Sequence, residues 1–208
     1  MQRESDQNLK TDIQLVEEVR EGHRASFSEL VKRHQRGLLR LSMRFMKDAD
    51  IAQDIVQEAF IKSYEKLNLF EGRASFKSWL YQIAVNTARN KLRESRYDFT
   101  NIDDVYLGVS ATAEKVLVHA AVSEIIQLEV DRLPFKQKTA LVLRVYEHMS
   151  FAEIAVVMEC PYDTAKANYR HALMKLKETF ETQSELKKWT EDIGGFFMEI
   201  NTKFVEAE

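Results

Sequence analysis

The stretch SFAEIAVVMECPYDTAKANYRHALMKL, residues 150–176, decides the fold of the C-terminal half of the chain. Ser150, followed three residues later by Glu153, forms the pattern of a capping box, which marks the start of a helix. That helix is predicted to be short and to end just before Cys160, which occupies the cap of a second helix. Pro161 then falls in the first turn of the second helix, where its missing N–H costs nothing. Two short helices joined by a tight turn indicate a helix-turn-helix.

The second of these helices is basic, and it is one of three basic patches in the chain. Residues 166–177 contain four lysines or arginines and no acidic residue. Residues 32–47 contain six and no acid, and residues 89–96 contain four against Glu94. Such patches can bind phosphate locally even though the net charge of the whole chain is −3. The alternative is that each patch is simply a solvated helix face.

Composition favours a helical protein without disulfides. The chain has 208 residues, enough for one domain or two small ones, and only 6 glycines and 2 prolines, which favours helix over turn-rich β structure. Cys160 is the only cysteine, so an intrachain disulfide and a cysteine zinc cluster are both excluded. No apolar run approaches the roughly 20 residues that span a bilayer. The N-terminus lacks the apolar core of a signal peptide. We therefore expect a cytoplasmic protein without membrane insertion.

Hydrophobic spacing predicts a series of helices along the rest of the chain. Asp50 is predicted as an N-cap, with Gln53 in its capping box, for a helix that runs to about Leu67. That helix has an apolar face and an opposite polar stripe. The other predicted helices cover residues 12–24, 27–45, 75–92, 113–132 and 135–147. Together with the helix-turn-helix they predict an all-α fold.

Two long segments resemble the bacterial RNA polymerase sigma factors of the extracytoplasmic-function type, group IV. DIAQDIVQEAFIKSYEKLNLFEGRASFKSWLYQIAVNTARNKLR, residues 50–93, resembles sigma region 2 through its D-x-V-Q-E-x-F and F-x-G-x-x-S-F-x-S-W-L patterns. LPFKQKTALVLRVYEHMSFAEIAVVMECPYDTAKANYRHALMKL, residues 133–176, resembles region 4 through L-P, S-x-x-E-I-A and C-P-x-x-T-x-K. The resemblance covers about residues 12–178, and regions 1 and 3 of the larger sigma factors have no counterpart.

This resemblance implies a transcription initiation factor that recognises the minus-35 and minus-10 promoter elements and promotes DNA opening. Its expected partners are core RNA polymerase, through the β and β′ subunits, and promoter DNA. An anti-sigma factor is a further possible partner. The positions that match the family's contacts with the β′ clamp are Asp54, Gln57, Glu58 and Ile61, which share one helix face.

The loop NLFEGRAS, residues 68–75, matches the family loop that captures a base flipped out of the minus-10 element. Extracting a base costs a few kcal/mol of stacking, which the protein must return through contacts to that base. Residues of this loop and of the helix that follows it carry the expected minus-10 contacts. They are Phe70, Arg73, Ser75, Lys77, Asn86, Arg89, Asn90 and Arg93.

The second helix of the helix-turn-helix matches the family helix that reads the minus-35 element in the major groove. Its expected contact residues are Thr164, Lys166, Asn168, Arg170 and His171. Two positions depart from the family pattern, since many relatives have glycine in place of Asp163 and arginine in place of Asn168. With these departures the helix is still expected to enter the major groove, but the promoter sequence that it reads cannot be carried over from the family.

The resemblance also predicts the domain organisation. A region 2 domain covers residues 1–95, a linker 96–112 and a region 4 domain 113–180. A C-terminal extension of unassigned role covers residues 181–208. The linker is acidic, and two interpretations stay open: it threads polymerase channels that nucleic acid otherwise uses, or it is a solvated tether.

Nothing in the sequence predicts catalysis, a metal site or a cofactor. The five histidines are scattered, and no phosphate-binding glycine loop or nucleophile motif is present. Two alternatives to a sigma factor remain, a stand-alone helix-turn-helix regulator and a helical protein-interaction adaptor. The regulator would bind duplex DNA unaided, and the adaptor would bind none.

Overall fold

A computed structural model describes residues 10–98 and 126–182, and every structural statement below concerns those two ranges. Regular structure within them is helical throughout, and the residues form two compact units. One unit contains residues 10–98 together with 149–162, and the other contains residues 126–148 together with 163–182. The predicted all-α class is confirmed for the described part of the chain.

The first unit begins with α1 (Asp12–Arg20) and α2 (Arg24–Met46), which pack on each other. A capping box starts α1: the Gln14 N–H donates to the Thr11 hydroxyl at 3.3 Å, and the Thr11 N–H donates to Gln14 Oε1 at 2.8 Å. The predicted helices at 12–24 and 27–45 therefore exist, with ends that differ by a few residues.

The third helix, α3 (Ala49–Glu65), is capped by Asp48 and not by the predicted Asp50. The Asp48 carboxylate accepts the N–H groups of Asp50 and Ile51, both at 2.9 Å. Asp48 also has the extended backbone (φ −118°, ψ 124°) that an N-cap residue requires. The prediction of an N-cap at Asp50 with a capping box to Gln53 was wrong, because the chain enters the helix two residues earlier.

A 3-10 turn (Leu67–Leu69) and a loop connect α3 to α4 (Phe76–Asp98). The Ser75 hydroxyl caps α4 by accepting the Ser78 N–H at 3.1 Å. Because α4 continues through Asp98, it extends beyond residue 95, where the predicted region 2 domain ends. Residues 99–112 of the predicted linker lie outside the described residues.

The core of the first unit lies between α2, α3 and α4, which pack against one another. Its members are aliphatic and aromatic side chains at helical spacing, and each of the larger aliphatic ones contributes about 1.5–3 kcal/mol when fully buried. They include Leu30, Leu38, Leu41, Ile55, Ala59, Phe76, Leu80, Tyr81 and Ala84. A later helix of the same unit, α7 (Phe151–Val157), packs on α4.

The capping box predicted for the start of α7 is confirmed. The Glu153 N–H donates to the Ser150 hydroxyl at 3.2 Å, and the Ser150 N–H donates to Glu153 Oε2 at 2.9 Å. Glu159 follows the helix with a left-handed backbone, φ 50°. The next helix, α8, spans Tyr162–Thr182. Pro161 therefore lies at the cap position, and the predicted placement of Cys160 at the cap and Pro161 in the first turn was one residue too early.

The second unit contains the helical residues 126–131 (α5), α6 (Phe135–Val145) and α8. A buried ion pair joins Lys138 Nζ to Asp131 Oδ1 at 2.7 Å. Residues 113–125 of the predicted helix and residues 183–208 of the predicted C-terminal extension lie outside the described residues. Among the helices that are described, none has the length and apolar character needed to cross a membrane.

Candidate protein and nucleic-acid interfaces

The polar stripe of α3 lies on its solvent side. Asp54, Gln57 and Ile61 are exposed, and Ile61 keeps 58% of its surface accessible. The opposite side of the same helix is buried against the unit core through Ala52 and Ile55. An exposed isoleucine at the end of a polar stripe adds an apolar contact, a combination that suits a protein-docking surface.

Glu58, the fourth member of the stripe, is half-buried and paired. Its carboxylate contacts Lys62 Nζ at 2.5 Å and Lys91 Nζ at 4.0 Å. The lysine of α4 thereby links the stripe to the neighbouring helix. The structure brings all four predicted polymerase-binding residues to one helix face, and three of them are exposed.

The loop between α3 and α4 is anchored by its own aromatic residue, Phe70, which packs on two rings of α4. Phe70 is 5% exposed, and its ring centroid lies 5.9 Å from that of Phe76 and 5.2 Å from that of Trp79. The structure therefore places the Phe70 ring inside an aromatic cluster, where little of it is exposed to solvent. Its position supports the loop and does not offer a stacking face.

The tip of this loop is exposed and sharply turned. Gly72 has φ +71°, a left-handed conformation that side chains rarely adopt. Arg73 Nε contacts Glu71 Oε2 at 2.7 Å, and both side chains are largely accessible. The Ser75 hydroxyl, besides capping α4, lies 2.9 Å from the Ser78 hydroxyl. Among the predicted minus-10 residues of the loop, Arg73 thus has the most accessible side chain.

One face of α4 carries amides and arginines at helical spacing. Asn86 is half-buried, whereas Arg89, Asn90 and Arg93 are exposed. Lys77 lies at the start of the helix, with its ammonium 5.4 Å from the centre of the Tyr81 ring. Amides can read base edges and guanidinium groups can hold phosphate or guanine, so this face has the chemistry for single- or double-stranded DNA.

Part of that face is engaged by the chain itself. The Asn86 amide donates to Glu159 Oε2 at 3.0 Å, and the amide of Gln82, one turn earlier on α4, donates to Glu159 Oε1 at 2.8 Å. Glu159 lies in the turn that follows α7, within the same compact unit. A carboxylate offers the same kind of oxygen acceptors as a phosphate or a base carbonyl, so Glu159 occupies donors on the face that was predicted to bind DNA.

The five predicted minus-35 residues occupy a broad arc of α8. Ala165, Tyr169, Ala172 and Leu176 form the buried side of the helix. With a turn of about 100° per residue, Arg170 and His171 fall near the middle of the opposite side. Lys166 and Asn168 fall at its two edges, and Thr164 falls beside Asn168. The set is therefore accessible but is not a single narrow line.

Two local details modify this helix. The Asn168 amide donates to the Thr164 carbonyl at 2.8 Å, within its own helix. Its second amide N–H and its carbonyl oxygen remain for recognition. Ala167 lies between the two edges of the set, at the centre of the accessible arc, and a small apolar side chain there suits contact with a thymine methyl group. The burial of Tyr169 raises the pKa of its phenol above its usual range.

A polar cluster fixes α1 to α2. His34 Nε2 and Asp12 Oδ2 lie 2.7 Å apart, and Arg33 donates to Asp12 Oδ1 at 3.0 Å. The hydrogen bond with His34 is the main reason that the pKa of Asp12 lies below its ordinary value of 3.8, and the Arg33 guanidinium acts in the same direction while burial opposes it. The carboxylate is thus held in its charged form across the physiological range.

Sequence reasoning missed three polar residues around these surfaces: Arg20, Gln82 and Glu159. Gln82 had a signal, because it lies four residues before Asn86 on the same helix face. Arg20 donates to the carbonyls of Leu67 and Phe70, contacts that link residues about fifty positions apart and leave no pattern in the sequence. No sequence pattern indicates a role for Glu159 either, because its partners also lie far away along the chain.

Comparison with protein families finds two matches in the same chain. Residues 30–97 match Sigma-70 region 2, and residues 123–176 match Sigma-70, region 4. The first range runs from α2 to the end of α4 and therefore includes the α3 stripe, the loop and the α4 face. The second runs through α6, α7 and most of α8.

Curated relatives carry the same assignment. The RNA polymerase sigma-H factor of Pseudomonas aeruginosa is 38% identical over 167 residues, which cover 75% of this chain and 86% of the relative. The ECF RNA polymerase sigma-E factor of Haemophilus influenzae is 36% identical and covers 76% of this chain and 88% of the relative. That of Escherichia coli K12 is 34% identical, with coverage of 76% and 87%.

Two solved structures share the fold. One is the complex of CnrH with the cytosolic domain of CnrY, with a TM-score of 0.63 and 21% identity, covering 84% of this chain and 99% of that chain. The other is RpoE in complex with the anti-sigma factor NepR from Bartonella quintana, with a TM-score of 0.59 and 20% identity, covering 76% and 98%.

Proposed function

The chain belongs to the extracytoplasmic-function RNA polymerase sigma factors, and we propose that it docks on core polymerase through α3 and reads promoter DNA through α4 and α8. Promoter recognition for transcription initiation is the function of this family. The observation that carries the residue assignment is the exposed α3 stripe of Asp54, Gln57 and Ile61, next to a helix whose outer face is lined with amides and arginines.

The proposed division of roles follows from what each surface can bind. The α3 stripe has two acidic residues, one amide and an exposed isoleucine, which suits a protein surface with basic and apolar groups. The α4 face and the loop tip at Arg73 offer donors for bases and phosphates of the minus-10 element. The exposed arc of α8 would enter the major groove at the minus-35 element.

We assign catalysis of RNA synthesis to the polymerase and only specificity and DNA opening to this chain. Sigma factors are DNA-binding initiation factors, and we further propose that this chain has no catalytic activity of its own. Its proposed location is the cytoplasm, where polymerase and promoter DNA are found. The proposed domain bounds are 1–95 for region 2, 96–112 for the linker, 113–180 for region 4 and 181–208 for a C-terminal extension.

An anti-sigma factor is proposed as a third kind of partner. One of the proteins that shares this fold was solved together with an anti-sigma factor. Such a partner would cover the α3 stripe, the α4 face or both. It would then inhibit transcription in proportion to its occupancy, without changing the start site.

The decisive experiment is transcription reconstituted from core polymerase, this chain and genomic DNA, with the transcript starts mapped. We expect a small set of starts that share upstream elements and that depend on the chain. Core polymerase without the chain is the control for nonspecific starts. The chain alone should bind promoter duplex weakly; tight binding without polymerase would favour a stand-alone regulator, and no polymerase-dependent start would refute the proposal.

A further inference from the structure

Arg20, the last residue of α1, connects α1 to the loop between α3 and α4. Its Nη2 atom donates to the Leu67 carbonyl at 3.0 Å and also to the Phe70 carbonyl. Its Nη1 atom donates to Glu17 Oε1 at 2.6 Å, which fixes the remaining arm of the guanidinium. These bonds tie two backbone positions of the loop to a helix that lies outside the residues matched to region 2, which begin at residue 30.

The two carbonyls bracket the start of the loop. The Phe70 N–H donates to the Leu67 carbonyl at 3.1 Å, so Arg20 joins an existing backbone turn and fixes its orientation. Beyond Phe70 the chain turns at Gly72, and it re-enters helix at the Ser75 cap. The exposed tip at residues 71–74 is therefore held at one end by Arg20 and by the buried Phe70 ring, and at the other end by the cap of α4.

The helix that carries Arg20 is itself firmly placed. Its capping box at Thr11 fixes the start, and Leu15 and Val16 are 3% and 1% exposed. Asp12 connects it to α2 through Arg33 and His34. A guanidinium on such a helix is a rigid anchor, because its planar fork loses little conformational freedom when it makes paired hydrogen bonds.

We propose that Arg20 is a positioning residue for base capture: it sets the backbone of the loop so that an unpaired minus-10 base can bind against the tip. This inference rests on the proposed function, in which the loop receives that base. Capture requires the tip to return the few kcal/mol of lost stacking. Contacts of that strength depend on loop geometry held to fractions of an ångström. Arg20 would act through the backbone and would not need to touch DNA.

The test compares an intact with an abasic nucleotide in the minus-10 element. Full-length chain and core polymerase bind fork-junction DNA carrying a promoter identified by the start-site mapping, with each unpaired non-template position made abasic in turn. For wild type we expect one position at which the intact base strengthens binding by about 5–100-fold, the range of base stacking and edge contacts. For Arg20→Ala we expect the ratio of intact-base to abasic affinity at that position to fall to about 2-fold or less.

Matched variants separate positioning from general stability. Arg24→Ala removes the same charge from an exposed position four residues away, where the backbone N–H donates to the Gly22 carbonyl at 3.0 Å, and should keep the wild-type ratio. Arg20→Lys keeps the charge without the fork, and we expect an intermediate ratio. If Arg20→Ala does not fold, Arg20→Gln, which retains one amide donor, takes its place. Binding to core polymerase and the thermal midpoint are measured for every variant.

The outcomes are distinct. If Arg20→Ala no longer distinguishes intact from abasic DNA and still binds polymerase like wild type, the proposal is supported. A wild-type ratio in Arg20→Ala, with only a lower thermal midpoint, would show that Arg20 stabilises the unit and has no part in base capture. If wild type itself shows no base-dependent position, the assigned role of the loop fails, and the positioning role of Arg20 fails with it.

Discussion

The α3 stripe and the α4 face lie on adjacent helices of one unit, yet they differ in availability. Asp54, Gln57 and Ile61 face solvent, whereas Asn86 and Gln82 donate their amides to Glu159. The surface proposed for polymerase is open, and the surface proposed for DNA is partly occupied by the chain's own carboxylate. The difference indicates an order of events in which polymerase docking can precede exposure of the α4 amides.

The strongest way to test this comparison is to remove the docking surface. We expect Asp54→Ala combined with Gln57→Ala to weaken core polymerase binding by about 30–100-fold, because interface centres contribute about 2 kcal/mol or more. Fluorescence anisotropy of labelled chain titrated with core polymerase measures the change. Glu21→Ala combined with Gln35→Ala, two exposed positions away from the stripe, is the control. Equal affinity of both double variants would refute the docking role of α3.

The second test changes the α4 face and leaves the stripe intact. Asn86→Ala removes one base-edge donor and is expected to reduce promoter opening by about 10-fold, since a good base contact contributes about 1–3 kcal/mol. Permanganate reactivity of unpaired thymines in the minus-10 element reports opening. Polymerase affinity should stay at the wild-type value, opposite to the α3 double variant. If both variants transcribe like wild type, the two role assignments are wrong.

A third, smaller effect is expected from the self-contact. Glu159→Gln removes the charge that holds both α4 amides, and each exposed hydrogen bond of this kind contributes about 0.5–1.5 kcal/mol. We expect the free chain to bind a single-stranded minus-10 oligonucleotide about 3–10-fold more tightly, measured by anisotropy. Glu181→Gln makes the same charge change on α8 and should have no effect. Unchanged affinity in Glu159→Gln would mean that the contact does not compete with DNA.

The smallest effect should come from the polar cluster of Asp12, Arg33 and His34, which joins α1 to α2. Asp12→Asn weakens the contacts with His34 and Arg33 and is expected to lower stability by about 1–2 kcal/mol at pH 7. Because folding lowers the pKa of Asp12, its contribution is present above the ordinary value of 3.8 and is lost as pH falls through the folded-state pKa. The difference in unfolding free energy between wild type and Asp12→Asn, measured with urea, should therefore be smaller at pH 3 than at pH 7. If this difference is the same at both pH values, the charged carboxylate is not its source.

Local signals in the sequence were sufficient for most of the helical fold. The capping box of Ser150 and Glu153 and the apolar spacing of α2 and α3 depend on residues a few positions apart, and the structure has both. The N-cap of α3 was misplaced because Asp48 and Asp50 are both suitable caps, and only the backbone geometry distinguishes them.

The surfaces were less predictable than the helices. Exposure of the α3 stripe follows from helical periodicity, but the burial of Phe70 depends on a cluster formed with Phe76 and Trp79 after folding. The contacts of Arg20 and Glu159 depend on which helices pack together. One sequence contains no direct record of such long-range pairs, so these residues could be recognised only from the structure.

The left-handed backbone of Glu159 has a further consequence for stability. A residue with a side chain at φ 50° is strained by roughly 1–2 kcal/mol, and glycine would relieve that strain. The same replacement would also release Gln82 and Asn86. The two hydrogen bonds that Glu159 accepts, at about 0.5–1.5 kcal/mol each, are of the same size as this strain and offset it. Replacement by glycine should therefore leave the thermal midpoint nearly unchanged while it frees the two α4 amides.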